Sequence, residues 1–164
     1  MSDGPLHAVL DCMVFAQTLI NPRGPAGECI ERGSRGEFLI VVSPAIVTEI
    51  LELPRKLPSK FAITDDKINA FMSELLPSCV VVHQVPHVFD HPIDPDDSPY
   101  VDLAIAASAE LIVSRDRHLL GLNDPRKPWS ADFRSRFPSL RIIVVEELLH
   151  LLKNARDAGP AASP

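Results

Sequence analysis

Continuous apolar runs alternate with stretches of helical periodicity along this chain. Five short runs, bounded by polar, glycine or proline residues, predict buried strands at 6–10, 38–42, 79–85, 111–114 and 142–145. The stretches between them predict helices at 13–20, 26–34, after Ser43, and at 65–76, 99–109 and 146–156. Strands that are apolar throughout and alternate with helices are typical of a parallel sheet covered on both faces. The pattern therefore predicts an α/β fold with three layers, α/β/α, around a central parallel sheet.

Local signals mark several boundaries between these elements. Ser43 precedes Pro44, and Thr64 precedes two acidic residues, so each is predicted to cap a helix N-terminus. No repeat and no second domain are evident, and residues 1–150 are expected to form one domain. Residues 151–164 are expected to hold the end of the last helix and a tail, AGPAASP, which its composition predicts to be disordered.

The composition points to a folded domain that does not enter a membrane. Of the 164 residues, 46% are hydrophobic and 23% are charged, which is typical of globular proteins. No apolar run approaches the roughly 18 residues that span a bilayer. The start of the chain, MSDGPLHAVLD, lacks the basic and apolar segments of a secretory signal. We therefore expect a cytoplasmic protein with no membrane partner.

The net charge of −6 argues against a simple nucleic-acid-binding surface, because phosphate binding usually relies on surplus Lys and Arg. The argument weakens if the acids cluster around bound cations, since those cations are then the largest local charges.

The three cysteines and six histidines show neither a disulfide framework nor a zinc-ligand spacing. The cysteines are therefore predicted to be buried apolar residues, and no zinc site is expected.

Several acidic residues follow predicted strands, where ligands bind in open parallel sheets. Asp11 directly follows the first strand, and Asp116 comes two residues after the strand 111–114. Glu49 lies on the helix after the second strand, at the border of its apolar stripe. The acids Asp94, Asp96 and Asp97 precede the helix that begins near Pro99, and Asp97 is a candidate cap for it.

Each acid alone has an ordinary explanation as a turn residue, a helix cap or a solvent-facing side chain. Several acids at one sheet edge are harder to explain, because clustered carboxylates raise each other's pKa unless a cation compensates. Oxygen-only ligands favour Mg²⁺ or Mn²⁺ over zinc. Such ions promote attack of water on a phosphoryl group. The sequence thus predicts a divalent metal site suited to phosphoryl chemistry.

Four blocks of the sequence resemble the PIN-domain family, and in particular its toxin components of bacterial toxin–antitoxin systems. The blocks are AVLDCMVF, GPAGECIERGSRGEFLIVVSPAIVTEILELPRKL, DPDDSPYVDLAIAASAELIVSRDRHLL and FRSRFPSLRIIVV, and they cover roughly residues 7–150 in order. The resemblance implies a Rossmann-like sheet and an endoribonuclease that cleaves RNA with Mg²⁺ or Mn²⁺. It also implies a small cognate antitoxin as a partner, and dimers are common among such toxins.

The acidic quartet of the family corresponds to residues in four of these motifs: Asp11, Glu49 in VTEI, Asp97 in DPDDSPY and Asp116 in SRD. The resemblance implies that they ligate metal, directly or through water, and orient the attacking water. Asp94, in the same loop as Asp97, is a further implied ligand. Arg115 and Arg117 flank Asp116 and are predicted to hold RNA phosphates, whereas an aromatic content of 5% gives little support for a base-stacking surface.

Two positions depart from the family pattern and keep other hypotheses open. Met13 stands where many members have Asn, and Ser98 stands where relatives often carry another acid. Asp102, one helical turn after Ser98, can face the same way and is an alternative ligand. These departures motivate a second hypothesis, a catalytically weakened PIN-fold module that binds RNA or protein. A third, a phosphatase with a reactive Asp11, is weak because Met13 occupies the place of its second acid; no P-loop motif occurs either.

Overall fold

In the computed structural model, which describes residues 4–159, five parallel strands form one sheet. The strands are β1 (His7–Leu10), β2 (Leu39–Val42), β3 (Val80–Val81), β4 (Leu111–Val113) and β5 (Arg141–Ile143). Their order is β3-β2-β1-β4-β5, so β2 and β3 lie on one side of β1, and β4 and β5 on the other. Val9 pairs with Val41 of β2 and with Ile112 of β4. Ligands bind outside the carboxyl ends of strands where the order reverses in this way.

Both faces of the sheet are covered. Ala8, Val9 and Leu10 of β1 are each at most 1% exposed. Successive side chains of a strand point to opposite faces, so such a run is buried only when helices cover both. The predicted three-layer α/β/α fold with a central parallel sheet is confirmed.

The described residues form nine α-helices: α1 (Cys12–Ile20), α2 (Pro25–Ser34), α3 (Pro44–Leu51), α4 (Leu53–Lys56), α5 (Asp65–Leu75), α6 (Ser98–Ala106), α7 (Arg117–Gly121), α8 (Ala131–Arg136) and α9 (Val145–Asp157). The two predicted caps are confirmed. Ser43 Oγ accepts a hydrogen bond from the Ile46 amide at 3.3 Å, and Thr64 Oγ1 accepts one from the Lys67 amide at 3.2 Å. Each satisfies one of the backbone donors that a helix start leaves without a partner.

One predicted strand is shorter in the structure. The strand predicted at 79–85 is only Val80–Val81, because it lies at the sheet edge beside β2. The Val82 amide still donates to the Val42 carbonyl at 2.9 Å, but β2 ends there and offers no further partners. The polar segment 121–138 contains a 3₁₀ turn, Pro128–Ser130, followed by α8.

The C-terminal part of the chain is described as far as Gly159. Helix α9 runs from Val145 to Asp157, so the predicted division at residue 150 falls within it. Most of the tail that was predicted to be disordered, residues 160–164, lies outside the described residues. Among residues 4–159, no helix combines the length and the apolar character needed to cross a bilayer. A cytoplasmic location stays a prediction.

Helix α6 links the core to the carboxyl edge of the sheet. It packs against β1, β2 and β4, and its residues Val101, Leu103 and Ala104 are completely buried. Its first turn and the loop before it lie beside the residue that follows β1, because Asp97 and Tyr100 line the same cleft as Asp11. The burial of α6 therefore fixes an acidic loop against the ends of the central strands.

Candidate metal centre

Two of the predicted acids begin helices at the carboxyl ends of β1 and β4. Asp11 Oδ1 accepts a hydrogen bond from the Met13 amide at 3.1 Å and caps α1. Asp116 Oδ1 accepts from the amides of His118 at 2.6 Å and Leu119 at 3.3 Å and caps α7. Both residues therefore have the ordinary capping role, which uses one carboxylate oxygen of each. Capping also fixes the direction of each carboxylate, so it is compatible with a second role as a ligand.

Ser114 joins these two acids. Its hydroxyl donates to Asp11 Oδ2 at 2.6 Å and accepts from the Asp116 amide at 2.9 Å. The residue is completely buried, so water does not compete for these bonds. Ser114 thus holds the ends of β1 and β4 in a fixed relation, a role that the sequence did not reveal.

Tyr100 connects the third acid, Glu49, to the same place. The Tyr100 hydroxyl donates to Glu49 Oε2 at 2.9 Å and accepts from the Cys12 amide at 3.2 Å. Glu49 comes from α3, Tyr100 from α6 and Cys12 from the start of α1. A buried tyrosine normally finds a partner for its hydroxyl, and here that requirement aligns three helices around one carboxylate.

Asp97 carries the fourth carboxylate on the 3₁₀ turn Pro95–Asp97. It occupies the N-cap position of α6, as expected, but its side chain makes no capping hydrogen bond, whereas Asp94 Oδ1 accepts from the Asp96 amide at 3.1 Å. Asp97 Oδ2 is buried and has no hydrogen-bond partner within the described residues. Burying a carboxylate oxygen without a donor is costly, so a ligand with positive charge would be favoured there.

These four carboxylates line one open cleft of about 370 Å³. The residues around it are Asp11, Cys12, Met13, Gln17, Glu49, Asp96, Asp97, Tyr100, Arg115 and Asp116. The structure therefore brings together the whole predicted quartet, although its members are spread over more than a hundred residues of sequence. Met13 is 41% exposed, so the position where many relatives have Asn presents an apolar side chain to the cleft.

A histidine that the sequence did not single out lies beside this quartet. Asp94, Asp97 and His118 each have one potential ligand atom within 4.8 Å of those of the other two. His118 Nδ1 is 3.4 Å from Asp94 Oδ2 and 3.9 Å from Asp116 Oδ1. The set is not a histidine pair on one helix: it joins Asp94 and Asp97, at the 3₁₀ turn before α6, to His118 in the first turn of α7. The available signal was the spacing Asp116-Arg117-His118.

The electrostatics of the cleft fit a cation. Burial first, and then the charges of Asp116, Asp94 and Asp11, raise the pKa of Asp97 to about 7. Burial also raises the pKa of Asp11, although its hydrogen bonds from Ser114 and Met13 oppose the shift. Like charges that repel one another in a partly buried place are stabilised by a bound cation. The carboxylate oxygens and the nearby His118 ring together form a suitable set of ligands for a divalent metal.

Asp102 does not belong to this cleft, which corrects its expected role as an alternative ligand. One of its oxygens accepts from the amides of Val88 and Phe89 at 2.9 and 3.0 Å, and the other lies 2.7 Å from His87 Nδ1. Ser98 also faces the loop before α6, because its hydroxyl accepts a hydrogen bond from the His91 amide at 2.8 Å. Both residues therefore hold the loop before α6.

The two predicted RNA-binding arginines occupy different places. Arg115 lines the acidic cleft and forms an ion pair with Glu146 of α9. Arg117 is exposed and lines a neighbouring recess together with His118.

The cysteine nearest to the acids, Cys12, is buried, and its burial raises the pKa of the thiol. The thiol therefore stays protonated, and the carboxylates remain the reactive groups of the cleft.

Fold and cleft together describe a small α/β domain with acids gathered where the strand order reverses. The chain belongs to the PIN-domain family: the description "PIN domain" applies to residues 7–118, more than half of the chain. Proteins of this family are in general metal-dependent nucleases. The chain is also similar to the uncharacterized protein MJ1680 of Methanocaldococcus jannaschii, with 27% identity over 124 residues, which cover 74% of this chain and 78% of that protein.

The raised pKa of Asp97 predicts a pH-dependent loss of stability in the absence of divalent cations. An acid with a higher pKa in the folded state holds its proton more tightly there than in the unfolded chain. The folded state therefore binds more protons between pH 3.8 and about 7, and stability falls as the pH rises through that window. Solvent screening reduces the expected loss to roughly 1–3 kcal/mol.

Urea unfolding in EDTA at pH 5 and pH 8 measures this loss. Because other groups also titrate, the informative quantity is the difference between the wild type and Asp97→Asn, which cannot ionise. We expect the wild type to lose more stability than the variant between the two pH values. Adding Mn²⁺ at pH 8 should stabilise the wild type more than the variant. Equal pH dependence in the two proteins would show that Asp97 is not held in a destabilising environment.

Proposed function

We propose that this protein is a metal-dependent endoribonuclease that cleaves RNA at its acidic cleft. One observation carries the proposal: four carboxylates from separate parts of the sequence line one open cleft, and one buried oxygen of Asp97 has no donor among residues 4–159. The general nuclease character of PIN domains supports the reaction class. RNA as the substrate rests on the resemblance of the sequence blocks to ribonucleases.

The residues that would hold the metal are Asp11, Asp97 and Asp116, with Glu49 acting directly or through water. A bound Mg²⁺ or Mn²⁺ would offset charge on the scissile phosphate and lower the pKa of a water molecule. Ser114 and the capped helix starts keep Asp11 and Asp116 in fixed directions. Tyr100 occupies one oxygen of Glu49, which leaves the other to orient the attacking water and accept its proton.

His118 and Asp94 add a possible nitrogen donor and a further oxygen donor beside Asp97. Mg²⁺ is bound almost exclusively through oxygen, whereas imidazole suits transition metals. Participation of His118 would therefore favour Mn²⁺ over Mg²⁺. We expect faster cleavage with Mn²⁺ than with Mg²⁺ at equal concentration, and a smaller difference between the two ions in His118→Asn.

Purified protein should cleave a fluorescently labelled RNA in Mn²⁺, and cleavage should stop when EDTA is added in excess. Cleavage within a circular RNA would identify the activity as endonucleolytic, because such a substrate has no ends. Equal degradation in EDTA would indicate a contaminating metal-independent ribonuclease and count against the proposal. RNA binding without any cleavage in Mn²⁺ or Mg²⁺ would instead favour the weakened binding module, which the apolar Met13 in the cleft and the structural use of Ser98 motivate.

We further propose that the protein is the toxin of a type II toxin–antitoxin pair. The support is the likeness of its sequence blocks to such toxins, which also implies a small antitoxin partner and favours a homodimer. Expression of the chain in a bacterial host should arrest growth, and expression of Asp97→Asn at the same level should not. Unimpaired growth with active, soluble wild-type protein would contradict the toxin role while leaving the nuclease proposal intact.

A further inference from the structure

A second recess, beside the acidic cleft, has a different character. It is open, has a volume of about 310 Å³, and is lined by Ile93, Arg117, His118, Lys127 and Trp129. It adjoins the cleft through His118, which lies within 4 Å of both Asp94 and Asp116. A substrate chain that passes over the acids therefore reaches this recess next.

The positive charges of the recess are available to a ligand. Arg117 and Lys127 are exposed, and neither forms an ion pair in the described part of the chain. Four other arginines in the second half of the protein form ion pairs with acidic residues: Arg115, Arg126, Arg136 and Arg141. In a protein of net charge −6, two exposed cations without an ion pair among the described residues are suited to phosphates that lie beyond the acidic cleft on this side.

The apolar part of the recess is suited to a base. Ile93 is 48% exposed, and the indole of Trp129 is half-buried. The indole packs closely against its neighbours: a Cβ on Gly121 would lie 2.5 Å from its Cη2 atom, and the His91 ring centroid lies 5.7 Å from its own. A fixed aromatic ring beside cationic side chains is the arrangement that binds single-stranded nucleic acid by stacking and phosphate contact.

We propose that this recess is a nucleotide-binding subsite for a single-stranded stretch of the RNA substrate, in which Trp129 stacks on a base and Arg117 and Lys127 contact phosphates. The inference rests on the proposed function for the identity of the substrate. The low aromatic content of the chain does not exclude this subsite, because one well-placed tryptophan is enough to stack on one base. A duplex does not fit the same role, since its bases are stacked on each other and expose no face.

Trp129 is the only tryptophan of the chain, so its fluorescence reports on this recess directly. We expect a short single-stranded oligoribonucleotide, added in EDTA to prevent cleavage, to quench the emission in a saturable way. The same oligonucleotide in duplex form should quench at least about tenfold less effectively at equal concentration. Emission unchanged by the single strand, or quenched equally by the duplex, would overturn the proposal.

Variants assign the contacts, with binding measured by anisotropy of the labelled oligoribonucleotide. Lys127→Ala should weaken binding several-fold and reduce the salt dependence by about 0.7 in the slope of log K against log salt. Trp129→Leu should weaken binding roughly tenfold, and Trp129→Phe should retain most of it, because phenylalanine still stacks. Lys67→Ala is the matched control, since Lys67 is exposed on α5 and lines neither the cleft nor the recess.

The outcomes separate this inference from the nuclease proposal. Quenching and Lys127-dependent binding without cleavage in Mn²⁺ would support the subsite and refute the nuclease. Cleavage in Mn²⁺ with unchanged affinity in Lys127→Ala and Trp129→Leu would refute the subsite alone. Urea unfolding of each variant identifies any loss of binding that comes from unfolding, and Trp129→Phe keeps the stacking claim testable if Trp129→Leu does not fold.

Discussion

Replacing Asp97 with Asn is expected to slow Mn²⁺-dependent RNA cleavage at least about a hundredfold, because even residues that only support metal ligands contribute 10- to 100-fold. Asn has nearly the same shape but no charge, and Asp97 has an oxygen that the described residues leave without a partner. The substitution should therefore remove a ligand without removing a structural contact. Initial rates at saturating Mn²⁺, and again over a range of Mn²⁺ concentrations, measure the effect.

Asp66→Asn is the matched control for this prediction. Asp66 is exposed in the first turn of α5 and does not line the cleft, so the same change of charge should leave the rate within about twofold. Asp116→Asn should resemble Asp97→Asn in activity. It also weakens the cap of α7, however, so a loss of activity in this variant could come from a structural change. If Asp97→Asn and Asp66→Asn cleave RNA equally fast, the cleft is not the catalytic site.

The largest effect on stability is expected for Asp102→Ala, a loss of about 2–5 kcal/mol in the free energy of unfolding. Asp102 is buried and accepts from the amides of Val88 and Phe89, and a hydrogen bond to a charged group contributes about 1.5–3 kcal/mol, most where the bond is buried, as that of Phe89 is. The segment it holds carries Phe89, whose ring lies 5.6 Å from that of Phe133 in the core. Urea unfolding in EDTA measures the loss.

Asp102→Asn distinguishes a structural role from a metal-binding one. The amide oxygen of Asn can still accept the two backbone hydrogen bonds, so the loss of stability should be smaller than with Ala. Because Asp102 lies outside the cleft, Mn²⁺ should stabilise Asp102→Asn as much as it stabilises the wild type. Loss of the Mn²⁺ response in a folded Asp102→Asn protein would restore Asp102 as a ligand and contradict its assigned role.

The fold could be predicted from the sequence because burial of strands and helices requires characteristic patterns of apolar residues. A parallel sheet covered on both faces needs strands that are apolar almost throughout; β2 and β4 have that pattern, and β1 has it from Ala8 onward. The length of β3 was not predictable, since it depends on where its neighbour β2 ends rather than on its own residues. The pairing of strands is a property of the sheet and not of one segment.

The site was predictable only in part, for a related reason. Asp11 and Asp116 were found because the end of a parallel strand has a known place at the sheet edge. Asp97 and Asp102 lie in the same segment, and only the packing of α6 decides that Asp97 faces the cleft and Asp102 faces the loop before it. The contacts from Ser114 to Asp11, from Tyr100 to Glu49 and from His118 to Asp94 join residues far apart in the sequence, so no local spacing could reveal them.

The most direct test of the account is a calorimetric titration of metal-free protein with Mn²⁺ in the absence of RNA. The convergence of the carboxylates predicts saturable binding to the wild type and to Asp66→Asn. It predicts binding that is at least about tenfold weaker in Asp97→Asn and undetectable when Asp11 and Asp116 are also replaced by Asn. Mn²⁺ binding of equal affinity and stoichiometry in the wild type and the folded triple variant would contradict the account, because it would show that the cation binds elsewhere in the protein.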